Sequence, residues 1–539
     1  MKLLTKSLGL LLTLTLLAPA LAKSDKHRHN GEIVKFVQGG APSGGTGTKK
    51  HPFATLKEAA ASTWDVLIVL PSAVALTDGI TLTNQKLIGD ICDSKVAVFP
   101  KLTTNAVNVI GDGAIENIFF TSMLGSAINY DKAENLIVKN VTIDGFDLLD
   151  TQASAITGTC PQSGKALIEN VTIRNDKSSV PAPVPFSAGI FDAPTGSGVS
   201  RELTVCGCEL TTITKNGIET APDKGASSNV VIKDSYLHDF NNKSANGISA
   251  NGINVNLGAT KSSTETLLVK NVSFYNVGAP AGNEIRLALN NASNLQARVD
   301  SCSFTETESE NGKQNVIVIF SVNTSSSSEI VVENSVSTNV DEFYADTLSS
   351  AIKQDNRFYG NTVSVTIPTL TGGTFYEAGI KFGGTGNTGK SAVTTDIKGN
   401  IFNGTTGIQI DPPSSGGTYS PLYITAEHNC FTGTGQAFLT TATGNIGTAI
   451  IDAHCNSFSG FNPDIKDAGS NVAYLVSSNF WGPLQPCTGT TCPASQICQN
   501  GFCLGPTTSL GTPFLGFLDA SDPLAVSIKC PKTCHSSDI

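Results

Sequence analysis

Glu134–Phe146 reads ENLIVKNVTIDGF, and Lys165–Asp176 repeats it as KALIENVTIRND. Asn229–Phe240, NVVIKDSYLHDF, and Thr266–Val277, TLLVKNVSFYNV, repeat it twice more. Each copy is an alternating apolar strand, one turn residue, then a second alternating strand. The turn residue is Asn140, Asn170, Asp234 or Asn271, and weaker copies put Gly207, Ser301 and Asn334 there. A sharp bend between strands needs left-handed backbone, which Asn tolerates while bonding nearby peptide groups. A second series follows at GNIFNG, HNCFTG, CNSFSG and SNFWGP, around Asn400, Asn429, Asn456 and Asn479. Intervals between turn residues run from 23 (456 to 479) to 37 (170 to 207). Alternation with period two, repeated at such intervals, describes one coil of a solenoid. The expected fold class is all-β: a right-handed parallel β-helix with a short N-terminal capping helix and a small Cys-rich C-terminal module. Stacked coils would align the Asn side chains into a ladder. Phe402, Phe431, Phe458 and Trp481, each two residues after its Asn, would stack as core rings.

Composition agrees. Of 539 residues only 15% are charged, while 40% are hydrophobic, which excludes a disordered chain. A net charge of -10 argues against nucleic acid, whose binding runs on basic patches. Residues 1–22 read as an export signal: Lys2 and Lys6, the apolar run Leu8–Leu17, then Ala20-Leu21-Ala22 as the cleavage site. Nothing later reaches the ~20 apolar residues of a transmembrane span. The mature chain is therefore expected to be exported, either secreted or periplasmic.

The domain reading is a signal peptide at 1–22, an N-terminal segment at 23–44, the β-helix at 45–483 and a Cys-rich tail at 484–539. Thr55 with Glu58 three residues on forms a capping box for a short helix. That helix would cover the open end of the coil stack. Of 13 cysteines, six lie at Cys487, Cys492, Cys498, Cys503, Cys530 and Cys534. The tail is too short for a hydrophobic core, so disulfides are its expected staple. Zinc is disfavoured because paired C-x2-C knuckles are missing.

The repeats and the GTGT-x3-PFATLKEA opening resemble the pectin-lyase-like right-handed β-helix superfamily over about Gly31 to Pro483. That resemblance implies the architecture. Lyases, hydrolases, esterases, tailspikes and adhesins share it, so it leaves activity open. The chain departs from the catalytic patterns of the group. It has no polygalacturonase-like N-T-D, G-D-D or G-H-G run and no R-x-P-x-x-R of the pectate-lyase type.

Register singles out two neighbouring columns on one face. If Val141 and Ile143 point inward, Thr142 and Asp144 point outward. The aligned outward residues then include Asp144, Arg174, Glu209, Tyr236, His238 and Tyr275. Tyr rings suit sugar faces, and carboxylates and guanidinium suit hydroxyls or uronates. These six are the ligand-binding candidates, for a polysaccharide or a host or cell-surface glycan. A structural role, a solvated face with an Asp144–Arg174 ion pair, outweighs a catalytic one. The expected function is non-catalytic glycan binding. The alternative is a polysaccharide lyase or glycoside hydrolase using acids on the same face, and no catalytic residue is assigned. A fainter column follows the Gly-Ile and Ala-Ile strands: Thr157, Phe191, Glu219, Ser249 and Arg286. Cys208 and Cys302 fall at inward positions and read as core. No cofactor is expected, and no metal, since the seven His form no HExxH-like pair.

Overall fold

The computed structural model describes residues 31–477 and the short strands Ile497–Gln499 and Phe502–Leu504. Outside the description within that span lie 91–97, 101–104, 124, 146–153, 176–187, 214, 241–249, 278–281, 307–314, 322–325, 349–351, 366–377, 384–392, 412–421, 441–448, 460–464 and 468–471.

From Thr142 to Ser321 each coil contributes three strands, and each strand pairs in parallel with the equivalent strand one coil on; later, Ile401–Asp411 and Cys430–Thr440 each run through the second and third sheets as one strand. In the first sheet Gly164–Glu169 pairs with Ser200–Cys206, then Ser227–Lys233, Thr264–Lys270 and Asn294–Asp300. In the second, Thr142–Gly145 pairs with Thr172–Asn175, then Glu209–Thr211, Tyr236–His238, Ser273–Tyr275 and Ser303–Thr305. In the third, Ser154–Gly158 pairs with Ala188–Asp192, then Asn216–Thr220, Asn251–Leu257, Asn283–Leu289 and Asn315–Ser321. This is a parallel β-helix. Its core is one continuous apolar column, with Ile143, Ile173, Leu210 and Leu237 fully buried on the inner side of the second sheet.

The bend between first and second sheets is left-handed at Asn140, Asn170, Gly207, Asp234, Asn271, Ser301 and Asn334. In the later coils the positive φ moves to Gly360, Gly399, His428 and Cys455, one residue before each ladder Asn. The two series therefore differ in register. Asn140 and Asn170 lie outside, where Asn140 Nδ2 donates to Asn117 Oδ1 at 3.1 Å and Asn170 Nδ2 to Asn140 Oδ1 at 3.4 Å. Asn361, Asn400, Asn429 and Asn456 are buried, at the inward position held earlier by Val141, Cys208 and Cys302. The Oδ1 of Asn400, Asn429 and Asn456 each accepts both the backbone N–H and the Nδ2 of the preceding coil's Asn, at 2.9–3.0 Å. Phe402 and Phe431 stack beside this inner ladder, with centroids 5.0 Å apart. Asn479 and Trp481 lie outside the described residues.

At the N-terminal end a helix spans Leu56–Ala60, with Thr55 as extended N-cap accepting from the Glu58 N–H at 3.1 Å. Glu58 Oε2 reaches past Thr55 and accepts from the Ala54 N–H at 2.9 Å. Leu56 and Ala59 are buried in the core. The edge of the first strand, Val34–Val37, is taken up by the Gly-Thr-rich opening: Phe36 N–H donates to Gly47 O and Phe53 N–H to Phe36 O, both at 2.9 Å. Among the described residues no helix is long and apolar enough to cross a membrane.

Candidate functional site

The outer face of the second sheet carries the six candidates in the expected register. Asp144 pairs with Arg174, Thr172 with Glu209, Glu209 with Tyr236, Thr211 with His238, and His238 with Tyr275. Arg174 and Glu209 are exposed, Tyr236 is 40% exposed, and His238 and Tyr275 are half-buried. Asp144 differs. It is only 7% exposed, because the longer Arg174 of the next coil folds over it, with Nη2 3.4 Å from Asp144 Oδ2.

Around His238 the face is organised. Its Nε2 lies 3.1 Å from Glu209 Oε1 and its Nδ1 2.9 Å from Asp239 Oδ2. Both carboxylates only accept, so the doubly protonated ring satisfies both contacts and the neutral ring only one. Tyr236, two residues earlier on the same strand, stacks on the imidazole with centroids 4.1 Å apart and planes 16° from parallel. Desolvation, followed by the charge of Asp239, Tyr275 and Glu209, pushes the Tyr236 phenol up, so it remains a neutral donor.

Asp239 is the member that the repeat pattern did not pick out. It sits at a second left-handed turn, with Thr212 and Asn276 as its equivalents, all at φ 51–54. Asn276 Nδ2 donates to Asp239 Oδ1 at 3.3 Å, a second ladder. The signal is present in sequence: Thr212, Asp239 and Asn276 each lie five residues after Gly207, Asp234 and Asn271.

The third sheet's outer column needs one correction. Asn246-Gly247-Ile248 and Asn251-Gly252-Ile253 are identical triplets, and the second one pairs: Ile218 with Ile253, Glu219 with Asn254. The column is therefore Thr157, Phe191, Glu219, Asn254 and Arg286, and Ser249 lies outside the described residues. Gly252 is required there because a Cβ would come within 2.9 Å of the Phe274 ring. Arg286 is held by Asn254 Oδ1 at 2.9 Å and lies over the Phe320 ring at 5.0 Å. Asn216 donates to Glu219 at 2.6 Å, and a buried amide ladder runs Asn283–Asn251–Asn216.

Cys208 and Cys302 are buried free thiols directed at backbone carbonyls, and desolvation raises both to about 11. Among the described residues no group of three or more His, Cys, Asp or Glu is placed to hold a metal ion. In the tail, Cys498 and Cys503 are backbone register partners in a two-stranded antiparallel pair. Cys487, Cys492, Cys530 and Cys534 lie outside the described residues.

No protein-family model and no curated protein matches the chain. Among solved structures it is similar to the catalytic unit of a thermostable GH87 α-1,3-glucanase from Streptomyces thermodiastaticus strain HF3-3. That likeness has a TM-score of 0.36 at 13% identity, over 84% of this chain and 69% of that one. It is also similar to the family 28 exopolygalacturonase of Yersinia enterocolitica, with a TM-score of 0.23 at 10% identity, over 83% and 78%.

Proposed function

We propose that this is an exported, right-handed β-helix protein that binds extracellular or cell-surface glycans through the outer face of its second sheet, without turning them over. The supporting observation is the Tyr236–His238 stack held between Glu209 and Asp239, with Tyr275 one coil on. An exposed ring with carboxylates beside it suits a pyranose, whose faces are apolar and whose rim is hydroxylated. The acids on this face already have partners, Asp144 with Arg174 and Glu209 and Asp239 with His238. That favours binding over acid–base turnover.

The joint substitution Tyr236→Ala and Tyr275→Ala should weaken retention on the glycan that the parent binds by about thirtyfold, at ~1 kcal/mol per ring. Thermal unfolding should barely move, since neither ring belongs to the core. Unchanged retention on every bound glycan would move the site to the Glu219–Arg286 column. A polysaccharide panel read for reducing ends and unsaturated products separates the enzyme reading. Turnover by the parent that Glu209→Gln abolishes would replace the binder.

The tail is part of the same proposal. Mass spectrometry without reduction should find Cys487, Cys492, Cys498 and Cys503 joined among themselves, as an exported module too short for a core requires. Four alkylatable thiols, or a bound zinc, would refute it.

A further inference from the structure

Inside the solenoid, polar side chains from the third sheet and its lead-in meet others from the first. Tyr130, Asp192 and Thr220 come from the former and Arg201, Ser228 and Glu265 from the latter, and all six are buried. Arg201, Ser228 and Glu265 are direct partners on successive coils, as are Asp192 and Thr220. Two contacts tie the groups locally. Tyr130 Oη donates to Asp192 Oδ1 at 2.9 Å, and Thr220 Oγ1 donates to Glu265 Oε1 at 2.9 Å. Arg201 spends one nitrogen on the Ala133 carbonyl, Nη1 to O at 2.9 Å, and lies over the Tyr130 ring at 5.6 Å.

What remains is a set of buried polar atoms with no protein partner: Asp192 Oδ2, Arg201 Nε and Nη2, Ser228 Oγ and Glu265 Oε2. Buried polar atoms in folded proteins are satisfied, and a lone buried charge is far too costly to keep. We propose that a sealed string of ordered water molecules runs through this interior, bridging Arg201 to Asp192 and passing Ser228 to reach Glu265. The five atoms comprise two donors on Arg201, a carboxyl oxygen each on Asp192 and Glu265, and a hydroxyl that both donates and accepts, the kinds of partner that bridging waters need. Space for the side chains comes from glycine. A Cβ at Gly158 would lie 2.3 Å from the Tyr130 ring, and one at Gly164 2.9 Å from Arg201 Nη1. The free Nε and Nη2 edge of Arg201 also matches a small anion. The Asp192 carboxylate beside it opposes a second negative charge, which favours water.

Threonine and valine share a shape and differ by the hydroxyl, so Ser228→Thr and Ser228→Val form the test pair. With waters in place, the valine variant strands them and should unfold at least ~2 °C below the threonine variant. Equal midpoints, or a more stable valine variant, would mean a dry interior and overturn the proposal. A high-resolution crystal structure of the mature chain should show at least two waters, each within ~3.2 Å of two of the five atoms. A direct Arg201–Asp192 ion pair with nothing between them, or an anion on the Arg201 edge, would equally overturn it.

Discussion

Asn429→Leu should destabilise the β-helix by on the order of 4 kcal/mol, far more than the same loss in the outer ladder. The carboxamide of Asn429 is fully buried and makes four links. Its Oδ1 accepts the Asn400 N–H at 2.9 Å and Asn400 Nδ2 at 3.0 Å. Its Nδ2 donates to the Ile397 carbonyl at 2.8 Å and to Asn456 Oδ1 at 2.9 Å. Leucine matches its volume but takes the carboxamide away from the Asn400 N–H, an Asn400 Nδ2 hydrogen and the Ile397 carbonyl, while Asn456 Oδ1 keeps only the backbone N–H of residue 429. Each stranded group costs ~1–3 kcal/mol, and partial relaxation keeps the total below the full sum. Asn140→Gly is the control. It removes two exposed ladder links, at 3.1 and 3.4 Å, while glycine accepts the positive φ, so the change should stay below ~1 kcal/mol. Denaturant unfolding of the two variants decides it. Equal losses would mean that the inner amides contribute no more than the outer ones.

The coil was legible because one periodicity runs through it. Strand alternation alone places Ile143, Ile173, Leu210 and Leu237 inside and their followers outside. The shift between ladders is legible too. Apolar residues come three positions after Asn140 but two after Asn400, so the two Asn cannot hold the same place in the turn. Other features escaped for physical reasons. Two identical Asn-Gly-Ile triplets fit the third sheet equally well, and only pairing with Ile218 selects Ile253. Asp239 escaped because it terminates a three-residue strand, Tyr236–His238, where the chain turns left-handed and swings its carboxylate back to His238. Arg201 escaped because a charge reads as an outward residue. Alternation nonetheless puts it in line with Leu203 and Val205, and it is fully buried.

Those interior acids should make stability fall as pH rises above the carboxylate range. Desolvation raises Glu265 from 4.5 to about 8, helped by the charge of Asp192 and opposed by the Thr220 hydrogen bond. Burial likewise raises Asp192 against the pull of Arg201, and it raises Glu284, beside Glu306, and Asp346. For an acid with a raised folded pKa, the folded state holds its proton more tightly than the unfolded state. Its contribution is whole below the unfolded value and is lost as pH climbs to the folded one. For Glu265 that window runs from 4.5 to about 8, worth on the order of 5 kcal/mol. Asp223 acts in the opposite sense. Hydrogen bonds from Thr260 and from the backbone of Lys261 and Lys224 outweigh its desolvation and lower it from 3.8 to about 2, so its contribution disappears only in strong acid. Denaturant unfolding should therefore show the parent more stable at pH 5 than at pH 9. Glu265→Gln keeps an acceptor for Thr220 but cannot ionise, so its loss over the same range should be smaller by several kcal/mol. Parallel pH profiles for parent and variant would show that Glu265 does not titrate in the folded interior.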